Sequence, residues 1–185
     1  MLKESLSIKN MALVAVFTAV LCVVAPFSIA VGPIPLSMAT LIIYLSVGSL
    51  GWKYGALSVI LYVILGTAGL PVFANFEGGF HKIAGVTGGY IIGYIPCALA
   101  TGLISDLLQG KKRKLWPLAA GMVTGTILLY SCGTLWFVIQ TGTSLAAALA
   151  LCVVPFLIGD AIKIIFAFIT APKLRDALKI VKYEL

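Results

Sequence analysis

Long apolar segments separated by short polar connections run through this 185-residue chain. The segment from Leu145 to Thr170, for example, contains only two charged residues, Asp160 and Lys163. A helix needs about 20 apolar residues to cross the hydrocarbon of a bilayer. Charged residues make up 10% of the chain, whereas soluble domains have about 25%. These features predict an all-α integral membrane protein with a single transmembrane domain spanning residues 1–185 and no soluble catalytic domain.

The distribution of apolar residues predicts a bundle of six transmembrane helices. Gly32-Pro-Ile-Pro35 breaks the chain after the first helix, and Gly51-Trp-Lys53 forms a tight turn between the second and third. A short helix over 145–153 precedes the last span, because Pro155 suits a first helical turn, and Pro172 ends that span. The predicted spans are about 9–30, 36–50, 54–66, 87–108, 115–139 and 155–171.

The first span is expected to be retained, although Ser28-Ile-Ala30 would also suit cleavage of a signal peptide. Ala15 and Ala19 form a small-xxx-small pattern, which allows another helix to approach closely. That helix could belong to a partner protein or to the same bundle, and the sequence leaves both alternatives open.

The basic residues determine the predicted orientation. Lys and Arg concentrate in the cytoplasmic loops of membrane proteins, and an N-terminus inside would leave only Lys82 outside. We therefore expect both termini in the cytoplasm, and we attribute the net charge of +7 to membrane topology rather than to nucleic-acid binding. The residues assigned to the inside are Lys3, Lys9, Lys53, Lys111, Lys112, Arg113, Lys114, Lys173, Arg175, Lys179 and Lys182.

The same orientation places a long glycine-rich loop, residues 67–86, outside the cell between the third and fourth spans. The loop contains too many apolar residues for a solvated linker, so we expect it to fold back onto the bundle as a lid or as a structural plug. His81 and Glu77 are expected to be solvated surface residues of this loop.

Asp160 and Lys163 are the candidate site, because charges inside a membrane are costly and usually functional. At a spacing of i, i+3 they share one helical face, and they may simply neutralise each other without any ligand. Alternatively, a ligand with a carboxylate and paired N–H groups would satisfy both residues. Further candidate ligand contacts are Asn75, Thr87, Tyr90 and the Gly88–Gly89 backbone, with Phe73 and Phe76 covering the apolar part.

Enzymatic motifs are absent from the sequence. There is no phosphate-binding GxxxxGK[ST] loop, no HExxH and no GxSxG, so we expect neither ATP hydrolysis by this chain nor any other catalysis, and no cofactor. Cys22, Cys97, Cys132 and Cys152 are scattered over apolar segments, which indicates buried thiols rather than a metal site or disulfides.

Several motifs occur in order along nearly the whole chain: Gly32-Pro-Ile-Pro35, Gly55-Ala-Leu-Ser58, Gly69-Leu-Pro-Val-Phe-Ala74, Gly78-Gly79, Thr87-Gly-Gly-Tyr90, and Pro155-Phe-Leu-Ile-Gly-Asp160 with Lys163. Together these motifs resemble the BioY family, the substrate-binding S components of energy-coupling factor (ECF) biotin transporters. Two sites depart from the family pattern: the segment Asn75-Phe-Glu77 stands where relatives often have Gly-Gly-Ser, and Ala39 stands where they often have Gln.

The resemblance implies a six-helix protein of the bacterial plasma membrane that captures biotin from outside. It also implies coupling to a transmembrane T component, which Ala15 and Ala19 would contact, and to two cytoplasmic ATPases. Asp160 and Lys163 would both contact biotin, and which end of the vitamin each one meets stays open.

Two other functions remain as alternatives. A stand-alone secondary transporter or facilitator of a small anionic solute would work without ATPases, but the internal symmetry common in such transporters is not visible in the sequence. A structural membrane subunit would bind no ligand at all.

Overall fold

The computed structural model describes residues 8–108 and 115–178. Helices form most of this part of the chain, and two short 3₁₀ turns, Ala74–Phe76 and Val154–Phe156, interrupt the connections. The elements in chain order are α1 (Ile8–Val24), β1 (Ser28–Val31), β2 (Ile34–Ser37), α2 (Ala39–Thr67), α3 (Phe80–Ala84), α4 (Gly88–Leu108), α5 (Trp116–Thr141), α6 (Leu145–Cys152) and α7 (Leu157–Ala177).

Helix α2 reverses direction at Gly51, whose φ of 81° and ψ of 177° are not helical. Side chains 12 residues apart on a straight helix are about 18 Å apart, yet the Ser46 and Ser58 hydroxyls are 2.6 Å apart. The two halves of α2 are therefore antiparallel, as the predicted turn at Gly51-Trp-Lys53 requires. Glycine suits this turn because positive φ carries no Cβ penalty there.

The six predicted crossing segments agree with this architecture. Within residues 8–108 and 115–178, four helical stretches are long and apolar enough to span a membrane: Ala39–Thr67, Gly88–Leu108, Trp116–Thr141 and Leu145–Ala177. Helix α1 is a shorter apolar helix, and the break in α2 divides that stretch into two arms. Helix α2 is central, since α1, α4 and α7 all pack against it, while α5 packs mainly on α4.

A β-hairpin replaces the end of the predicted first span. Helix α1 ends at Val24 rather than at residue 30, and β1 pairs with β2 in an antiparallel register, with Ser28 opposite Ser37. The predicted loop at Gly32-Pro-Ile-Pro35 contains the hairpin turn and part of β2, and α2 begins at Ala39 rather than at residue 36. The described part of the chain is nevertheless mostly helical, as predicted, and the hairpin is a short addition to the helical bundle.

Pro172 does not end the last helix. Helix α7 begins at Leu157 and continues through Pro172 to Ala177. A proline within a helix removes one backbone hydrogen bond, and membrane helices tolerate this where neighbouring groups satisfy the freed carbonyl. Lys173 and Arg175 therefore lie on the helix itself, before its end at Ala177.

The bundle has two chemically distinct ends. At one end, the α2 turn lies beside the end of α4, where the Asp106 carboxylate accepts a 3.0 Å hydrogen bond from the Trp52 amide. Lys9 of α1 donates to the Leu178 carbonyl at this end. At the opposite end lie the β-hairpin, the loop after α2 and the start of α4, and these elements surround the cavities described next.

Candidate ligand-binding site

A cavity of about 340 Å³ lies between the β-hairpin, the 67–86 loop and the first turns of α4. This volume is within the usual range for small-molecule sites, roughly 300–1,000 Å³. Aromatic rings form part of its wall, and charged and polar groups from the loop form another part. Its lining residues are Pro33, Ile34, Pro35, Ser37, Tyr62, Phe73, Ala74, Asn75, Glu77, His81, Lys82, Gly85, Val86, Thr87, Tyr90, Ile91 and Tyr94.

A second, smaller cavity of about 40 Å³ adjoins the first. Asp160 and Lys163 of α7 line it, as do Thr40 and Tyr130. Five residues line both cavities and mark the boundary between them: Ile34, Pro35, Ser37, Tyr90 and Tyr94.

The Asp160–Lys163 pair is buried, and its members are 5% and 7% exposed. The Lys163 ammonium donates to Asp160 Oδ1 at 2.8 Å, to the Ser37 carbonyl at 2.7 Å and to Thr40 Oγ1 at 3.2 Å. Tyr130 donates to the other oxygen of Asp160 at 2.6 Å. An ammonium has three N–H donors, so Lys163 has an acceptor for each one without any ligand.

This arrangement is compatible with either interpretation of the pair, mutual neutralisation or ligand binding. The two residues do neutralise each other, but they also face a cavity and hold β2, α2 and α5 through their other hydrogen bonds. A buried pair with all its hydrogen bonds made is far less costly than a lone buried charge.

The loop is anchored on both the hairpin and α2. The backbone amide of Asn75 donates a 2.9 Å hydrogen bond to the Pro26 carbonyl, and its side-chain oxygen accepts a 2.8 Å hydrogen bond from the Ser28 hydroxyl. Phe73 is 3% exposed and meets Tyr62 edge-to-face, with ring centroids 5.7 Å apart. The expectation that this apolar loop folds back onto the bundle therefore holds for Val72 and Phe73, which are buried.

Two other aromatic residues of the loop point outward. Phe76 and Phe80 are 58% and 70% exposed. Phe76 stacks edge-to-face on Phe27, with ring centroids 5.3 Å apart, and it lines neither cavity.

Glu77 is not the freely solvated residue that the sequence indicates. It is only partly exposed, forms an ion pair with Lys82, and lines the larger cavity together with Lys82 and His81. His81 is exposed, as expected, although it too contributes to the cavity wall.

Most of the predicted ligand contacts converge at this end of the bundle. Asn75, Phe73, Thr87 and Tyr90 line the larger cavity, and Tyr90 also lines the smaller one. Gly89 lines neither. A Cβ at Gly89 would lie 2.8 Å from the Cys132 carbonyl oxygen and would also meet Trp136, so this glycine permits the close packing of α4 on α5.

Several lining residues escaped the sequence analysis. Tyr62, Tyr94 and Tyr130 come from three different helical segments, and Ser37 and Thr40 flank the start of α2. A tyrosine in an apolar helix gives no local signal of which way it faces. Gly32-Pro33 indicates a turn, but the flanking residues do not alternate and Pro35 argues against a strand, so no sequence signal indicates the hairpin that brings Ser37 to the site.

Outside the site, Ala15 and Ala19 lie on the exposed side of α1. They are thus not used for packing within this bundle. Of the four cysteines, Cys97 and Cys152 are buried as expected, Cys22 is partly exposed and Cys132 is exposed, so the prediction of a buried thiol is wrong for Cys132.

Comparison with known proteins gives consistent results. A family model described as the BioY family matches residues 1–180. The chain is 40% identical over 161 residues to a biotin transporter BioY of Thermotoga maritima, covering 86% of this chain and 92% of that relative. It is 39% identical over 167 residues to a probable biotin transporter BioY of Pyrococcus horikoshii, covering 90% and 96%.

The fold also resembles a solved structure. The match is a 2.1 Å crystal structure of the S-component for biotin from an ECF-type ABC transporter, with a TM-score of 0.84 and 25% sequence identity. The similarity covers 95% of each chain.

Proposed function

Because the chain belongs to the BioY family, as the match over residues 1–180 establishes, we propose that it is a high-affinity biotin-binding S component of an ECF-type importer. It is a multi-pass membrane protein, and it is a transport subunit rather than an enzyme. Biotin is its substrate, captured at the two adjoining cavities.

The observation that carries this proposal is the buried Asp160–Lys163 pair, which lines the smaller cavity that adjoins the cavity of about 340 Å³. Biotin combines an anionic valerate tail, a ureido ring with two N–H donors and an apolar ring containing sulfur. The two cavities offer charged groups, amide and hydroxyl groups, and aromatic surface for these three parts. We assign ligand contacts to Asp160, Lys163, Asn75, Tyr90, Thr87 and Phe73.

The difference between the two ends of the bundle supports an orientation in the membrane. The cavities lie at the end opposite the α2 turn, and the described basic residues Lys9, Lys53, Lys173 and Arg175 lie towards the turn. The positive-inside rule supports a cytoplasmic position for the turn and for both termini, with the cavities outside. The other basic residues that entered the prediction, Lys3, 111–114, Lys179 and Lys182, lie outside the described residues.

The partners in this proposal are a transmembrane T component and two cytoplasmic ATPases. They supply the energy for import, since the chain has no phosphate-binding loop of its own. The exposed Ala15 and Ala19 on α1 support a helix–helix contact there with the T component.

The direct test measures biotin binding by the purified full-length chain. We expect tight binding, and biotin identified by mass spectrometry as the molecule that co-purifies. Asp160→Asn and Lys163→Ala should each weaken binding at least about tenfold, because each leaves a buried partner without its counter-charge.

Lys53→Gln is a matched control, because it removes a charge at the opposite end of the bundle. It should leave biotin affinity unchanged. A wild-type protein that binds no biotin, or site variants that are folded and retain full affinity, would contradict the proposal. Biotin uptake into liposomes by this chain alone would instead favour a stand-alone transporter.

A further inference from the structure

We propose that Lys82 binds the carboxylate of the ligand and that Glu77 occupies Lys82 until the ligand displaces it. This inference deepens the proposed function, on which it rests. It assigns the acidic end of biotin to the 67–86 loop rather than to the Asp160–Lys163 pair.

The first argument is the state of Lys163. Its three donors already have acceptors in Asp160, Ser37 and Thr40. A ligand carboxylate would have to break one of these hydrogen bonds and bring a second negative charge close to Asp160. Like charges in a buried site repel strongly, so Lys163 is a poor receptor for an anion while Asp160 is ionised.

The second argument is the position of Lys82. Of the described residues that line the larger cavity, Lys82 is the only lysine or arginine. Its side chain is 27% exposed, so it is accessible both to an arriving anion and to the cavity. Lys163 lines only the smaller cavity of about 40 Å³.

The third argument is the ion pair between Lys82 and Glu77. The ligand offers the same group that Glu77 already presents to Lys82, a carboxylate. The Glu77 backbone is held separately, because its carbonyl accepts a 2.8 Å hydrogen bond from the Phe73 amide. Rotation of the Glu77 side chain alone is therefore enough to release Lys82 without unfolding the loop.

The exchange makes Glu77 an internal competitor of the ligand. Biotin must displace it, so the pair lowers the observed affinity while it keeps Lys82 positioned. Removing the competitor should tighten binding, whereas removing Lys82 should selectively weaken binding of the charged form.

The experiment compares the dissociation constants of biotin and of biotinamide, its uncharged carboxamide, for the purified full-length protein. We expect Lys82→Gln to weaken biotin binding about tenfold, since a charge-assisted hydrogen bond is lost, and to weaken biotinamide binding far less, because a carboxamide carries no charge. Lys82→Arg should retain the preference for biotin. Glu77→Gln should tighten biotin binding several-fold, and this gain should vanish in the Lys82→Gln background.

Two further variants test whether another lysine is responsible for the preference for biotin over biotinamide. Lys163→Ala should weaken binding of both compounds alike, because it disturbs the wall of the site rather than the carboxylate contact. Lys53→Gln, with the same loss of charge far from the cavity, should change neither.

The inference is overturned if Lys82→Gln leaves the ratio of the two affinities as in the wild type, or if Lys163→Ala abolishes that ratio. Failure of the wild-type protein to bind either compound would overturn the proposed function itself. Tight binding of both compounds with no effect of Lys82 on their ratio would leave the function standing and reject only this assignment.

Discussion

Asn75 shows how a single residue connects the loop to the hairpin. Its φ of 62° lies in the left-handed region, where the following Phe76, at 59°, also lies. Asparagine tolerates this conformation better than most residues with a Cβ, and its side chain accepts the Ser28 hydrogen bond. Strained backbone of this kind is concentrated at functional sites, and here it forms part of the cavity wall.

Two substitutions at Asn75 should separate backbone strain from side-chain chemistry. Asn75→Gly keeps the left-handed backbone conformation without penalty but removes the side-chain carboxamide, so we expect weaker biotin binding with little loss of stability. Asn75→Ala removes the amide and adds strain, so it should also lower stability by about 1 kcal/mol. Thermal unfolding and biotin titration of both proteins would check this, and equal stability of the two variants would contradict it.

At this scale the sequence indicated candidate residues but not how they are arranged. Asp160 and Lys163 were identifiable because charges in an apolar segment are costly wherever they lie. Their contacts with Ser37, Thr40 and Tyr130 depend on packing of distant segments, so no local pattern could predict them. Glu77 illustrates the same limit, because its partner Lys82 is evident only once the loop is folded.

Helix α4, which carries several of the cavity-lining residues, is held in place by close packing against α5. Helix α4 carries Thr87, Tyr90 and Tyr94 along or just before its first turns, and α5 supports it. Gly89 lies where the two helices are too close for a side chain, while Gly93, one turn further on, has more room. There a Cβ would lie 3.0 Å from the flexible Leu129 side chain.

We therefore expect Gly89→Ala to destabilise the protein by about 1–3 kcal/mol, the usual cost of overpacking. Gly93→Ala should cost distinctly less, because the Leu129 side chain can move. The thermal unfolding temperature of each variant tests this difference. If both variants unfolded at the wild-type temperature, the close packing of α4 against α5 at Gly89 would be disproved.

The turn in α2 depends on a contact from another helix. Asp106 on α4 accepts the Trp52 amide immediately after the break at Gly51, and Arg175 of α7 lies 3.8 Å from its second oxygen. Three elements thus meet at this end of the bundle, far from the cavities.

Asp106→Ala should lower stability by about 1–3 kcal/mol, because it leaves the Trp52 amide without its acceptor. Biotin affinity measured well below the unfolding temperature should not change. Lys53→Gln, which removes a charge from the same turn, is the control for affinity and should leave biotin binding unchanged. A selective loss of affinity in the Asp106 variant would show that the turn is coupled to the site.

Elements were predictable where the chain crosses the membrane and less so where it reaches the surface. The break at Gly51 and the helices from Gly88 to Thr141 follow from glycine positions and apolar length. The hairpin was missed because Ser28–Ser37 is short and apolar enough to pass as the end of one span and the start of the next. The prediction that the last helix ends at Pro172 was wrong, because a membrane helix tolerates a proline in its interior.

At the scale of the whole molecule, α1 presents its small residues outward. Ala15 and Ala19 are exposed, together with neighbouring apolar residues such as Val16 and Val20. A smooth strip of this kind suits a second membrane helix, which in the proposed function belongs to the T component.

Bulky side chains on this strip should block assembly without affecting capture of the ligand. We expect Ala15→Leu with Ala19→Leu to abolish co-purification with the T component and biotin uptake in cells, while purified protein binds biotin normally. Ala150→Leu, at an exposed alanine of α6, should affect neither. An intact complex in the double variant would place the T component elsewhere.

The β-hairpin sets a limit on how deeply this end of the bundle can be immersed. Its sheet has two strands in the described part of the chain, so the backbone groups on their outer edges have no neighbouring strand to pair with. Such groups are not tolerated against lipid tails, where each would cost several kcal/mol. The hairpin, which forms one wall of the larger cavity, must therefore lie at the level of the lipid headgroups, in contact with water. A polar solute can then enter the cavity directly from bulk water, without crossing the hydrocarbon core of the bilayer.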